Sequence, residues 1–206
     1  MAGRQAAVPD TARAAGDQAQ PRIGILAIQG DFEAHADALR RLDCEPVEVR
    51  RPSQLELLDG LIIPGGESTT ISKGLAAYGL EQPIRDFARE GRSLLGTCAG
   101  LIMLDRDHLG LIEIVARRNA FGRQVKSFET DLQVKGLGPE PLRAIFIRAP
   151  WIETHAPDVE ILADVDGHPV VARQRNVLVA AFHPELTDDL RMHALFCALA
   201  GMRVET

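Results

Sequence analysis

Short apolar runs that each stop at a small, turn-forming sequence set the strongest limit on how this chain can fold. Ile23 to Ile28 ends at Gln29-Gly30-Asp31, Leu61 to Ile63 ends at Pro64-Gly65-Gly66, and Ser93 to Gly96 stops just before Cys98. Each run has the length of a buried strand, with glycine or proline placed to turn the chain at its end. Between the first two lie a helical pattern (Phe32, Ala36, Leu39, Leu42) and another short run, Val47 to Val49. Strands that are apolar on both faces and alternate with helices imply an α/β fold: a three-layer, mostly parallel open sheet with helices on both faces.

The second half reads differently. Arg117 to Val125, Ala144 to Arg148, Val159 to Val165, Val170 to Ala172 and Val177 to Phe182 look like strands separated by turns, so some antiparallel additions to the sheet are expected there. A closing helix is expected from Asp188 to Ala200, with apolar residues at 190, 195, 196 and 199 near one face. Residues 1–21 are rich in Ala, Gln and Arg with no apolar period and read as a mobile tail. The remainder, 22–206, is short enough to favour one domain.

Charge and cysteine usage remove several function classes. With 29 acidic against 23 basic residues the net charge is −6, which offers no general basic field for a nucleic-acid backbone. No apolar run approaches the ~20 residues needed to span a bilayer, and the start of the chain lacks a secretory apolar stretch, so the cytoplasm is the expected compartment. The three cysteines, Cys44, Cys98 and Cys197, show no C-x-x-C spacing and suggest neither a disulfide framework nor a metal site. Cys44 and Cys197 read as small buried hydrophobes.

Cys98 has different company. Gly96-Thr97-Cys98-Ala99-Gly100 follows an apolar strand and leads into Leu101-Ile102-Met103-Leu104, which is the cysteine form of a nucleophile elbow. The sharp turn pushes the side chain out at the carboxyl edge of the sheet, and the following helix aims the positive end of its dipole at the sulfur. A second strand, Val177 to Phe182, runs into His183-Pro184-Glu185. Residues two apart in extended chain share a side, so Glu185 is expected to orient the His183 ring while its other nitrogen faces a thiol. The other histidines, at 35, 108, 155, 168 and 193, have no such company and read as ordinary core or surface residues. A third element, Pro64-Gly65-Gly66-Glu67-Ser68-Thr69-Thr70, lacks the Lys of a P-loop and the spacing of a dinucleotide fingerprint. Its glycine pair at a strand end better suits an oxyanion site.

With these elements in place, the sequence resembles the class I (triad) glutamine amidotransferases, and within them the glutaminase subunits of pyridoxal 5′-phosphate synthase. The resemblance runs from Ile23 to Cys197 through I-G-I-L-A-I-Q-G-D, L-I-I-P-G-G-E-S-T-T, G-T-C-A-G-L-I, R-R-N-A-F-G-R-Q-V-K-S-F-E, F-I-R-A-P and F-H-P-E-L-T. It implies Cys98 as nucleophile with His183 and Glu185 completing a catalytic triad, and glutamine held by Gly66, Glu67, Ser68, Arg118, Ile147 and Arg148. Backbone N–H groups at Gly66 and Ala99 would form the oxyanion site, and Gln29 matches a position linked to activation on docking. The implied activity is glutamine hydrolysis, with no metal or cofactor, and transfer of ammonia to a partner synthase subunit. The alternatives are a glutaminase subunit of another amidotransferase and a non-catalytic binding protein on the same scaffold. One departure stands out: only Asp105-Arg106-Asp107 separate Leu104 from His108, where relatives usually carry a longer segment.

Overall fold

The computed structural model describes residues 20–121 and 127–201. Nearly all of the expected tail, the end of the expected 117–125 strand, and residues 202–206 lie outside the described residues. The first half forms β1 (Arg22–Leu26), α1 (Phe32–Arg40), β2 (Glu45–Val49), β3 (Gly60–Ile63), α2 (Ser68–Ala77), α3 (Glu81–Arg89), β4 (Ser93–Thr97) and α4 (Ala99–Leu104). The second half forms β5 (Ile114–Arg117), β6 (Ser127–Leu132), β7 (Leu142–Ile147), β8 (Trp151–His155), β9 (Glu160–Val165), β10 (His168–Gln174), β11 (Val177–Ala180) and α5 (Arg191–Leu199).

Seven strands make the central sheet in the order β2-β1-β3-β4-β11-β10-β9. The first five run parallel, and β10 and β9 add antiparallel at one edge. The pairs β5–β8 and β6–β7 form two small antiparallel sheets. Every residue of β3, β4 and β11 is buried, as strands covered on both faces must be.

Alternation along β4 assigns the layers. Gly60 pairs with Ser93 and packs under Phe196 of α5, while two pleats further on Thr97 meets His35 of α1, so α1 and α5 share one face. Gly96 points the other way, against Gly100 and Leu104 of α4, and α2 packs on α4 there. Burying each large aliphatic side chain of this core contributes about 1.5–3 kcal/mol.

The chain reverses its direction of travel across the sheet at β1, whose neighbours are β2 and β3. The turns after β1 and β3 therefore lie side by side at the carboxyl edge, the position where open α/β sheets bind ligands. Asp31 and Glu67 in those turns cap α1 and α2, Asp31 accepting the Ala34 N–H and Glu67 those of Thr69 and Thr70.

Three local expectations change. Of the strand placed at 117–125, Arg117 instead ends β5 and 118–121 form a turn, because Asn119 takes a left-handed conformation (φ 48°) that no strand continues through. The strand placed at 177–182 ends at Ala180, and His183 then donates its backbone N–H to Ile145 of β7. The closing helix begins at Arg191, because the Asp189 carboxylate holds the Arg191 backbone N–H and guanidinium in a turn before it. After α4 the short 105–108 segment closes as a turn around the buried Asp105 carboxylate, which accepts from Asp107 N–H, the His108 ring and Ala116 N–H. Among the described residues no helix is long and apolar enough to cross a membrane.

Candidate active site

Cys98 sits between β4 and α4 at φ 49°, ψ −106°, a conformation that costs an L-residue about 1–3 kcal/mol and persists only where its surroundings enforce it. Here they do. The Cys98 backbone N–H donates to Ala180 of β11 at 2.8 Å, and α4 presses so closely on β3 that a Cβ on Gly100 would overlap the Ile63 carbonyl oxygen. The two glycines of G-x-C-x-G thus answer to crowded backbone. The sulfur is almost fully enclosed, 3.8 Å from the Ile147 carbonyl oxygen.

His183 Nδ1 lies 2.7 Å from Glu185 Oε1, and Cys98 is the other group that acts on the ring. The pairing does not come from extended chain, as the sequence suggests. Pro184–Leu186 forms a single 3-10 turn with His183 at its cap, and the turn folds the carboxylate back onto the ring. Burial by itself pulls the imidazole pKa down. The hydrogen bond with Cys98, the hydrogen bond with Glu185 and the carboxylate charge more than offset it, raising the value from about 6.5 to about 10. The result is an imidazolium held against the Cys98 sulfur.

Facing this group is the turn after β3. A Cβ on Gly65 would overlap His183 Cε1 and reach 3.2 Å from Cys98 Cβ, so only glycine allows the ring into place. Gly65 N–H donates to Thr97 Oγ1 at 3.1 Å, and Gln29 Oε1 accepts the Glu67 N–H at 3.0 Å, tying the β1, β3 and β4 turns together.

One cleft of about 290 Å³ gathers Gln29, Gly66, Glu67, Ser68, Cys98, Ala99, Arg118, Ile147, Arg148 and His183. That is near the lower end of the roughly 300–1,000 Å³ typical of small-molecule sites and matches an amino acid better than a nucleotide. Glu185 lies behind His183, buried and out of the cleft. Hydrogen bonds from Thr70 and Thr69 hold the Glu67 carboxyl below the usual range, and Arg118 Nη2 stands 3.4 Å from it, so a carboxylate and a guanidinium meet at the mouth. Arg148 enters with a left-handed backbone (φ 44°), leaving β7 abruptly. Ile102, Asn119 and Pro150 also line the cleft, and Thr97 supports it from beneath. Nothing in the sequence singles these four out, because their roles depend on which turns meet.

The fold is that of the class I glutamine amidotransferases. A crystal structure described as a glutamine amidotransferase superposes with a TM-score of 0.83 at 48% identity, over 87% of this chain and 99% of that one. PurLQS from Thermotoga maritima superposes at 0.67 with 18% identity over 87% of this chain and 99% of that one, a likeness of fold alone. The model of the SNO glutamine amidotransferase family matches residues 25–200, and the chain belongs to that family. Its relatives include the pyridoxal 5′-phosphate synthase subunit PdxT of Carboxydothermus hydrogenoformans, 51% identical over 85% of this chain and 95% of the relative. The subunit of the same name from Moorella thermoacetica is 50% identical over 87% of this chain and all (100%) of the relative.

Proposed function

We propose that this glutamine amidotransferase hydrolyses L-glutamine to L-glutamate and ammonia through a thioester on Cys98, and supplies the ammonia to the synthase subunit that makes pyridoxal 5′-phosphate. The observation that carries the chemistry is the chain of contacts Cys98–His183–Glu185, with Nδ1 and Oε1 at 2.7 Å and the imidazole pKa raised to about 10.

Attacking as the thiolate, with the proton held on His183, Cys98 forms a C–S bond to the side-chain amide carbon, and backbone N–H groups at Gly66 and Ala99 hold the oxyanion. As the intermediate collapses the C–N bond breaks, and the His183 imidazolium gives its proton to the departing ammonia. Water then attacks the γ-glutamyl thioester, His183 takes a proton from it, and glutamate leaves with Cys98 restored. Neither step calls for a metal or an organic cofactor. Glutamine carries an α-carboxylate and an α-ammonium, and the guanidiniums of Arg118 and Arg148 and the Glu67 carboxylate are suitable partners for them. The cytoplasm is the setting we assign, since a thiol nucleophile needs reducing surroundings.

Glutamate release by Cys98→Ala, measured alone and with a pyridoxal-phosphate synthase subunit, tests both halves. Loss of hydrolysis in a folded variant is expected, together with stimulation of the unsubstituted chain by the synthase. Retained turnover in a pure sample would end the thioester reading, and an indifferent synthase would end the partner assignment.

A further inference from the structure

Two histidines that the proposed chemistry does not use sit directly behind it. His35 of α1 and His193 of α5 are both fully buried, with His35 Nδ1 2.9 Å from His193 Nε2 and the rings 5.2 Å apart at 60°. On its other side His35 Nε2 faces two parts of the site at once: Thr97 Oγ1 at 3.3 Å and Glu185 Oε2 at 3.4 Å. Thr97 precedes the nucleophile and accepts the N–H of Gly65, while Glu185 holds His183 through its other oxygen. A single imidazole therefore faces both the end of β4 and the turn that follows β11.

Burying two imidazoles where aliphatic side chains would pack is costly unless their polar atoms are used. Both rings are neutral in the physiological range. Burial first, then the neighbouring His193 and His183, hold His35 well below 6.5, while burial and then Arg41 push His193 down to about 4. Each ring then has one N–H, and the surroundings select where it goes. Glu185 Oε2 is a buried carboxylate oxygen with no hydrogen bond of its own among the described residues, so a lone pair at 3.4 Å would be repelled and an N–H attracted. Placing the His35 proton on Nε2 leaves Nδ1 to accept from His193 Nε2–H. The one nitrogen then left over, His193 Nδ1, is an acceptor and not a donor, and it is the atom of that ring without a partner. Orphaned acceptors cost less than orphaned donors.

We propose that His35, locked by His193, is a positioning residue for the hydrolysis: its Nε2–H is directed at Glu185 Oε2 and Thr97 Oγ1, fixing the carboxylate against His183 and the Gly65 turn against Cys98. This rests on the Cys98–His183–Glu185 reading. Outer-shell hydrogen-bond partners of metal-bound histidines and carboxylates are commonly worth about 10–100-fold in affinity or activity, and we take the same scale for a partner of the His183–Glu185 pair. Without the His35 donor, Glu185 is freer to turn and supports the His183 imidazolium less, so the charged form of His183 loses ground. The groups that face His183 are Cys98, Glu185 and His35, and those that face His35 are His193, Glu185, His183 and Thr97.

The test uses the full chain, alone and with the synthase subunit, as His35→Leu, His35→Gln, His193→Phe and a Cys98→Ala control, with folding followed by circular dichroism. His35→Leu is expected to lower kcat about 10–100-fold with KM for glutamine nearly unchanged. The alkaline limb of the pH–rate profile should also move down by about one unit. His35→Gln, whose amide nitrogen reaches the place of Nε2, should recover most of both losses, and His193→Phe should move both in the direction of His35→Leu by less. A folded His35→Leu with unchanged kcat and alkaline limb overturns the proposal while an inactive Cys98→Ala keeps the triad; an active Cys98→Ala overturns the triad itself. Should His35→Leu not fold, the other two variants decide: His193→Phe with the kinetics and pH limb of the unsubstituted chain overturns the proposal, and a shifted limb restored in His35→Gln supports it.

Discussion

The two walls of the cleft are built on opposite terms. At the back, Cys98 is 6% exposed, Glu185 8% and His35 0%, and each is held by neighbours from two or more strands or helices. At the front, the Glu67 and Arg118 side chains are about half exposed (44% and 52%), they stand on turns, and their contact with each other is a single 3.4 Å pair. On the proposed chemistry the back wall keeps a proton-transfer chain in a low-dielectric setting, where fixed hydrogen bonds act strongly and need no rearrangement during reaction. The front wall must admit a zwitterion and let glutamate go. Exposed ion pairs are weak, typically below about 1 kcal/mol, so a substrate's own charges can displace this one.

If the walls divide the labour in this way, substitutions at the back change the rate and those at the front change affinity. The largest effect expected after Cys98→Ala is that of Glu185→Gln, which removes the charge beside the imidazolium and presents an amide that can favour the wrong tautomer. We expect kcat to fall by about 10²–10⁴ with KM little altered. Steady-state glutamate release checks this, and an unchanged kcat would show that the buried wall does not set the chemistry. Next is Arg118→Ala, expected to raise KM for glutamine about tenfold, a change of about 1.4 kcal/mol, with kcat nearly intact. A fall in kcat with unchanged KM would move Arg118 to the other side of the comparison.

The smallest effect concerns stability. The folded-state pKa of His183 lies above its unfolded value, so its contribution is fully present below about pH 6.5 and is lost as pH rises through about 10. Melting temperatures taken across that window should fall by a few degrees more for the unsubstituted chain than for His183→Gln. Parallel curves would mean that the imidazolium is not stabilised by the fold.

Legibility followed the same division. The elbow, the His-Pro-Glu segment and the Pro-Gly-Gly turn are local patterns, so Cys98, His183, Glu185 and Gly66 could be picked out directly, and the parallel strands were visible because burial on both faces makes them continuous apolar runs. β6 (Ser-Phe-Glu-Thr-Asp-Leu) and β8 (Trp-Ile-Glu-Thr-His) escaped because much of each is exposed and its composition resembles a loop. Thr97, Asn119, Ile102 and Pro150 carry no local signature. The histidines at 35 and 193 looked ordinary for the same reason: in sequence they stand 158 positions apart, and only the packing of α1 on α5 makes them a pair.

The sequence by itself determined which residues are candidates for the chemistry, because a nucleophile elbow and a stiffened His–Glu pair are conditions on neighbouring residues, and neighbours are what a sequence displays. The tertiary structure alone decided how the His–Glu pair closes, through a 3-10 turn and not a strand end, and what stands behind it. Hydrogen bonds between side chains extend only about 3 Å, so whether a buried imidazole is filler or part of a catalytic network depends on the sheet order and helix packing that bring Thr97, Glu185 and His193 to its two nitrogens.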